Sequence, residues 1–392
     1  MAKEVIYTDE LMRPIAHFSH AARVGNLLHV GATAGVFPGL RLAGESPGTI
    51  DVVAQTNKMF ENLETTLGLM GAKLADVVRL KTYIISPRDI GKYLEIYRKR
   101  FAGISPAHTI VASWDFPLPQ AAIELDAVAV VDGKPEILSA PGLPQNPAEA
   151  AAGVMVGSTH YATAQPVDAQ GNAVVGDAGT QARTVFQNLD AMLAAAGLSR
   201  RDACNIHMTL ADMRDLEEAS AVLRTWFNGD IPALTIVGAL LERPGFRITV
   251  ESVAVRGGGK RIGSKARPVQ KDVPAPAVLA GDVLYLGAQS SAEGNVEQQT
   301  RAAWTQHLDI IDAAGFDVES ILRSNNILVD WRDYAGFNAG YGANIPEPYV
   351  PRATVLGHLA DKAARVQVEC IAHRAGKNAK ILQVAPLAPR QP

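Results

Sequence analysis

Two residues of opposite charge sit where chemistry is plausible. Arg352 heads the β-branched segment Tyr349-Val-Pro-Arg352-Ala-Thr-Val-Leu356, and Glu369 lies in the middle of the next such segment, Arg365-Val-Gln-Val-Glu369-Cys-Ile-Ala-His373. A guanidinium offers a planar fork to a carboxylate, and an acid in the same cleft can orient or deprotonate a water. The pair would suit hydrolysis of an anionic substrate. The plain alternative is a strand-to-strand salt bridge. His108 and Asp126 occupy the matching places earlier in the chain, in Pro106-Ala-His108 and Ile123-Glu-Leu-Asp126. An imidazole oriented by an acid would titrate near neutrality; the alternative is a satisfied structural histidine. His17, His20 and His29 lack the spacing of a third ligand, so no metal is assigned. Cys370 should point away from Glu369 by strand alternation, as a small packing residue.

These segments belong to a repeated pattern. Gln55, Gln181 and Gln299 each stand five residues before an aromatic, Phe60, Phe186 and Trp304. An aliphatic follows that aromatic by seven residues (Leu67, Leu193, Ile311) and a glycine by eleven (Gly71, Gly197, Gly315). The offset of seven keeps both apolar residues on one buried helix face, and the glycine supplies a left-handed C-cap. A strand is expected after each glycine, over Asp76 to Ile85, Ala203 to Ala211 and Ile321 to Val329, then a second helix near Asp89, Asp215 and Asp333. Upstream strands carry Gly31, Gly157 and Gly287, with spacings of 126 and 130 residues. A period of domain length means tandem triplication. The repeats run over 1–133, 134–258 and 259–376, followed by a tail at 377–392 that reads as poorly ordered or extended.

Composition narrows the class. The 392 residues are 47% hydrophobic and 20% charged, and the net charge of −3 gives no electrostatic case for a nucleic-acid or membrane partner. Cys204 and Cys370 are far apart, which speaks against a disulfide framework. No apolar run has the length of a membrane span, and the expected location is cytoplasmic. Linkers rich in proline and glycine lie at Asp132 to Pro147 and Arg256 to Pro276; Lys260, Arg261, Lys265, Arg267 and Lys271 make the second one basic, as a solvated connector.

Repeat one contains Phe18-Ser-His-Ala21, Gly25-Asn-Leu27, Pro106-Ala107, Thr109, Val111 and Ile123-Glu-Leu-Asp-Ala-Val-Ala129; repeat three contains Phe337-Asn-Ala-Gly-Tyr341, Arg352, Thr354 and Glu369. On these residues each unit resembles the reactive-intermediate deaminase family (RidA, or YjgF/UK114), whose closing signature is Pro-Ala-Arg, then Ser or Thr, and a later Ile-Glu-x-Glu-Ala-like strand. The resemblance implies an α+β fold of three chorismate-mutase-like units, each a β-sheet backed by two helices. It implies an intramolecular pseudo-trimer with sheets inward and clefts between units. That arrangement would be self-contained, and leaves a higher oligomer open.

The resemblance also implies a hydrolytic deaminase of an imine or enamine, with a small-molecule substrate as its partner and no cofactor. Arg352 would anchor a carboxylate and Glu369 would position water. Asn338, Tyr341, Gly287 and Ala288 would contact substrate, and Phe18 stands where the family has a tyrosine, losing the hydroxyl. His108, Asp126 and Phe18 would make a second site. Repeat two, with Leu234 and Ser220 at the matched places, should have no carboxylate site. One principal cleft is expected. Two other functions fit less well. A ring-opening amidohydrolase of the cyanuric acid hydrolase or barbiturase type needs a serine and a lysine in every unit, whereas only Ser158 and Ser290 lie at comparable places. A non-catalytic ligand-binding scaffold would explain the loss of arginine in two repeats.

Overall fold

Each repeat opens its first helix with Asp or Asn, whose side chain accepts a backbone N–H of the first turn: Asp51 from Ala54, Asp177 from Thr180, and Asn295 from Gln298. Each such helix then runs for 18 residues. It stops where predicted, because Gly71, Gly197 and Gly315 adopt φ values of 74°, 64° and 76°. The computed structural model describes residues 2–144 and 153–383; the end of the first linker and residues 384–392 of the expected tail lie outside the described residues.

Unit one comprises β1 (Glu4–Tyr7), β2 (Ala21–Val24), β3 (Leu27–Ala34), α1 (Val52–Leu69), β4 (Val77–Ile84), α2 (Ile90–Arg100), β5 (Ala107–Ala112) and β6 (Ile123–Val130). Unit two comprises β7 (Glu136–Leu138), β8 (Gly153–Val156), β9 (Thr159–Ala164), α3 (Ala178–Ala195), β10 (Ala203–Leu210), α4 (Leu216–Trp226), β11 (Ala233–Gly238), β12 (Leu240–Leu241) and β13 (Ile248–Val255). Unit three comprises β14 (Lys260–Ile262), β15 (Ala277–Ala280), β16 (Val283–Ser290), α5 (Val296–Ala313), β17 (Ile321–Leu328), α6 (Tyr334–Gly342), β18 (Arg352–Leu356) and β19 (Val366–His373), with β20 (Lys380–Gln383) after it.

The same four strands form the centre of each sheet, in the orders β5-β4-β6-β3, β11-β10-β13-β9 and β18-β17-β19-β16. The outer pair is parallel and the rest antiparallel. The fold class is therefore α+β, with three mixed sheets and, among the described residues, six α-helices. Both linkers lend strands to the sheets that follow them, as β7 and β14. Part of the expected tail is also ordered, because β20 runs parallel to β1 in unit one. Among the described residues no helix is long and apolar enough to cross a membrane.

One sheet face of each unit is covered by its own helices. The cores so formed centre on Phe60 with Tyr93, Phe186 with Leu223, and Trp304 with Phe337. The other face meets the neighbouring units. Val36, Tyr83, Val111, Val237, Ile327 and Val355, drawn from all three units, share one apolar cluster. Packing follows a cycle: β5 lies against β9, β11 against β16 and β18 against β3. Each contact is thus an edge strand of one unit on the inner face of the next.

The recurrent glutamine has a structural purpose. Gln181 donates to the Gly245 carbonyl at 2.7 Å and accepts from the Arg247 N–H at 2.8 Å, clamping α3 to the chain entering β13. Gln55 does the same with Gln120 and Ala122, and Gln299 with Ala363 and Arg365. Gln181 also donates to the Val174 carbonyl at 2.9 Å and is 2% exposed, so Gln181→Leu leaves three backbone groups unsatisfied in a dry site. That change is expected to lower stability by about 1–3 kcal/mol in urea unfolding; an unchanged midpoint and slope would show that the clamp carries no energy.

One register differs from the sequence expectation. Gly157 is the turn residue between β8 and β9, with φ 57°, equivalent to Gly25 at 61° and Gly281 at 58°. The residue of unit two that matches Gly31 and Gly287 is Thr163, through its pairing with Glu251 in the central strand. A period anchored on glycine alone confused a turn with a strand.

Candidate active site

Pro351 ends the loop before β18 and sets Arg352 at the first position of an edge strand. Arg352 is 3% exposed. Its guanidinium lies over the faces of Tyr341 at 4.5 Å, Phe337 at 5.1 Å and Phe18 at 5.7 Å. Phe337 and Tyr341 come from one side of α6, at i and i+4. Nη2 donates to Asn338 Oδ1 at 2.5 Å, and Asn338 Nδ2 is committed to the Tyr334 carbonyl at 2.8 Å. Nη1 is buried and has no hydrogen-bond partner, and no carboxylate pairs with the group among the described residues. A buried cation without a counter-charge is costly unless a ligand supplies one.

The opposite wall is unit one. Met12, Ile15, Phe18, Val36 and Leu118 make it apolar, and Glu124 from β6 is its acid, in a cavity of about 60 Å³ shared with Arg352 and Tyr334. Burial pushes the Glu124 carboxyl up to about 8, so it holds its proton at neutral pH. The two strands approach closely because position 31 is glycine: a Cβ there would stand 3.2 Å from the Arg352 nitrogen. A bridge from Ser19 to Pro351 fixes the segment that carries Phe18.

Several expected site residues therefore fall together. Arg352, Asn338, Tyr341 and Phe18 form one cluster, with Phe18 belonging to the Arg352 cleft and not to a second site. Gly287 and Ala288 are elsewhere. A Cβ on Gly287 would lie 2.9 Å from the Leu234 nitrogen, so that strand faces the edge of unit two. The cyclic order of packing gives their place beside Arg352 to Gly31 and Ala32.

Glu369 also requires correction. Ser324 pairs with Arg352 on one side and with Cys370 on the other, whereas Glu369 pairs with Asn325. Arg352 and Cys370 share the helix-covered face; Glu369 points to the opposite face, where it cannot serve the Arg352 cleft. Cys370 packs in the core at 2% exposure, as its alternation predicted.

The Glu369 face lines the junction of the three units. Equivalent rows bring together Arg79, Asn205 and Arg323; Lys81, His207 and Asn325; and Asp126, Glu251 and Glu369. Arg79 bonds Asp126 and, at 2.7 Å, Glu251. Lys81 reaches Glu251 at 2.5 Å and His207 at 3.2 Å; Arg323 lies 2.9 Å from Asp126. Glu369 accepts from Asn325 at 3.1 Å and from Thr235, with His207 at 3.5 Å. Burial alone would raise the Glu251 and Glu369 carboxyls, but Lys81 and Arg79 for the first, and His207, Thr235 and Arg323 for the second, hold both well below the usual carboxylate range. This is a charge-balanced structural network.

His108 and Asp126 do not meet. His108 pairs with Leu80 and Asp126 with Lys81, on opposite faces. His108 Nε2 contacts Tyr93 Oη at 3.0 Å and Thr82 Oγ1 at 3.2 Å, and burial lowers it to about 3. No group of His, Cys, Asp or Glu among the described residues is arranged to hold a metal. Ser158 lies exposed in the turn after β8, outside any matched site.

Three clefts can now be compared by their two halves. The first joins Arg352 of unit three to Glu124 of unit one; the second, His108 to the Thr249 position of unit two; the third, Leu234 to Gln367 of unit three. Gln367 donates to the Ile236 carbonyl at 3.1 Å, tying the third shut. Of these three matched pairs of positions, only Arg352 with Glu124 joins an arginine to an acid. Glu124 could have been found in the sequence as the column Glu124, Thr249 and Gln367, acidic in one repeat alone. Choosing it required knowing which unit faces Arg352.

Comparisons with known proteins agree with this architecture. A family model described as Endoribonuclease L-PSP matches residues 8–131, 148–256 and 275–374. A RutC family protein of Pyrococcus abyssi is 36% identical over 129 residues, covering 33% of this chain and 98% of its own length. A 2-iminobutanoate/2-iminopropanoate deaminase of Dermatophagoides farinae is 26% identical over 130 residues, covering 33% of this chain and 98% of its own. Among solved structures, a chorismatase aligns over 76% of this chain and 93% of its own with TM-score 0.54 and 14% identity, a likeness of fold. The chain belongs to the Endoribonuclease L-PSP family, that of RidA and YjgF, and carries its unit three times in tandem.

Proposed function

We propose that the Arg352 cleft hydrolyses a 2-imino acid, or its enamine tautomer, to ammonia and a 2-oxo acid. The observation that carries this reading is the buried, unpaired guanidinium of Arg352 facing a protonated Glu124. The substrate carboxylate takes Nη1. The apolar wall of Met12, Ile15, Val36 and Leu118 receives an apolar substrate side chain. Glu124 gives its proton to the imine nitrogen, water adds to C2, and the resulting Glu124 carboxylate takes a proton from that water. Glu124, protonated again, passes that proton to the amino nitrogen, and collapse of the tetrahedral adduct to the ketone expels ammonia while the adduct's hydroxyl proton returns to the Glu124 carboxylate. A carboxyl titrating near 8 suits both steps near neutral pH. Two deaminases among the relatives, named as acting on 2-iminobutanoate and 2-iminopropanoate, support the same class.

The protonated acid is the starting form, so kcat/KM is expected to fall as pH rises through about 8. In Glu124→Gln that limb should vanish and the rate at pH 7 should drop by about 10²-fold, the usual size of a general acid–base contribution. Measuring ammonia release from freshly generated 2-iminobutanoate checks both. A carboxylate bound in the cleft without ammonia release would leave a ligand-binding protein instead.

A further inference from the structure

Among the described residues the second cleft is open. Between units one and two, α2, β5 and α3 enclose a cavity of about 520 Å³, within the range of small-molecule sites. Its walls include Leu94, Ile110 and Met192. At the arginine position stands His108, neutral in its buried setting, and the residue matching Glu124 is Thr249, so neither charge of the first pair recurs; the charged residues of the lining are Glu242 and Arg243, which pair with each other. The rings of Tyr97 and His108 lie 4.6 Å apart at 33° and line the cavity together. Tyr97 is 2% exposed, and its hydroxyl is buried without a hydrogen-bond partner. His108 Nε2 is occupied by two hydroxyls, which leaves the proton on Nδ1 when Nε2 accepts. The lining is mixed, with Gln165, Gln170 and Asn188 beside the apolar residues, yet none of them bonds the Tyr97 hydroxyl, and an orphan buried hydroxyl calls for a polar partner from a ligand.

We propose that this cleft is a binding site for an uncharged planar molecule with a hydrogen-bonding carbonyl, of the aromatic-amide class, distinct from the carboxylate-selective Arg352 cleft. The aromatic body lies against Leu94, Met192 and the Tyr97 ring, and the amide meets the Tyr97 hydroxyl. Carboxylates are excluded because no cation stands at position 108. Arg243, which lines the cavity beside Glu242, is offset by that carboxylate at 3.7 Å and donates to the Gly171 carbonyl at 2.7 Å.

Two methionines make the test selective, since Met192 lines this cleft and Met12 lines the Arg352 cleft. The full chain is labelled on methionine methyls and titrated with benzamide and, separately, with benzoate, with Met192→Leu and Met12→Leu assigning the signals. Benzamide should shift the Met192 signal saturably, with affinity at least ten-fold above that of benzoate at the same signal. Tyr97→Phe should weaken it about five-fold, the effect of one neutral hydrogen bond. Leu94→Trp, which fills the mouth, should abolish it, and His108→Arg should reverse the preference toward benzoate. No saturable Met192 shift, equal response to the two probes, or unchanged affinity in both Tyr97→Phe and Leu94→Trp would overturn the proposal. So would a benzamide response lost in Arg352→Ala, which would place the probe in the other cleft.

Discussion

Arg352→Ala is expected to lower kcat/KM for 2-iminobutanoate by about two to three orders of magnitude while leaving the circular dichroism spectrum and melting curve nearly unchanged. Removing one partner of a buried charge pair costs about 3–5 kcal/mol, and here that pair forms only when a carboxylate arrives. The free protein loses an unpaired cation along with one hydrogen bond to Asn338 and the ring contacts with Tyr341, Phe337 and Phe18, so its fold should not suffer. The neutral amide analogue of the substrate should react equally poorly with both proteins, because it never uses the guanidinium. Equal rates of parent and variant on the acid would sink the assignment of the cleft. Arg352→Lys should recover little, since a point charge on Asn338 cannot reproduce a fork stacked on Tyr341 and Phe337.

The second large effect concerns stability. In Glu251→Leu, Lys81 keeps only His207, and Arg79 keeps only Asp126. Lys81 is 2% exposed, so its charge is stranded, and a loss of on the order of 3–5 kcal/mol is expected in urea unfolding. The pH dependence follows from the sign of the shifts. Glu251 and Glu369 have folded values below the ordinary carboxylate value of 4.5. Their stabilisation is present above that value and disappears as pH falls through the folded values. The parent should therefore lose stability steeply below about pH 4.5, and the variant less steeply because one of the two groups is gone. Parallel acid limbs would show that the network contributes nothing through titration.

Much of the fold was legible in sequence because the repeat is carried by residues with backbone duties: Gln181 as a clamp, Gly197 as a left-handed cap, Phe186 as a core anchor. The site was half legible. Arg352 with Asn338 and Tyr341 falls within one unit, so motif and spacing suffice. Glu369 was a false partner because it is the acid conserved in all three repeats, and what all three repeats keep here is the junction, where Arg79, Lys81 and Arg323 need counter-charges. Glu124 was missed since its partner lies in another unit, and no local pattern encodes a cyclic packing order. His108 resembled a base until burial and two hydroxyl contacts showed it neutral.

The cyclic packing of edge strand on inner face also bears on how such a chain can diverge. In an assembly of identical subunits, one codon change is written into every cleft at once. Here each cleft is encoded at two distant places, and each unit serves two clefts: unit one gives Glu124 to one and His108 to the next. The segment free to drift is therefore not the folding unit. It is a pair of half-units, such as β18 and α6 together with the stretch from Met12 to Val36 and Glu124. Selection on one substrate holds that pair fixed and releases the remaining two pairs, so a single gene can keep an old chemistry in one cleft while another acquires a new ligand.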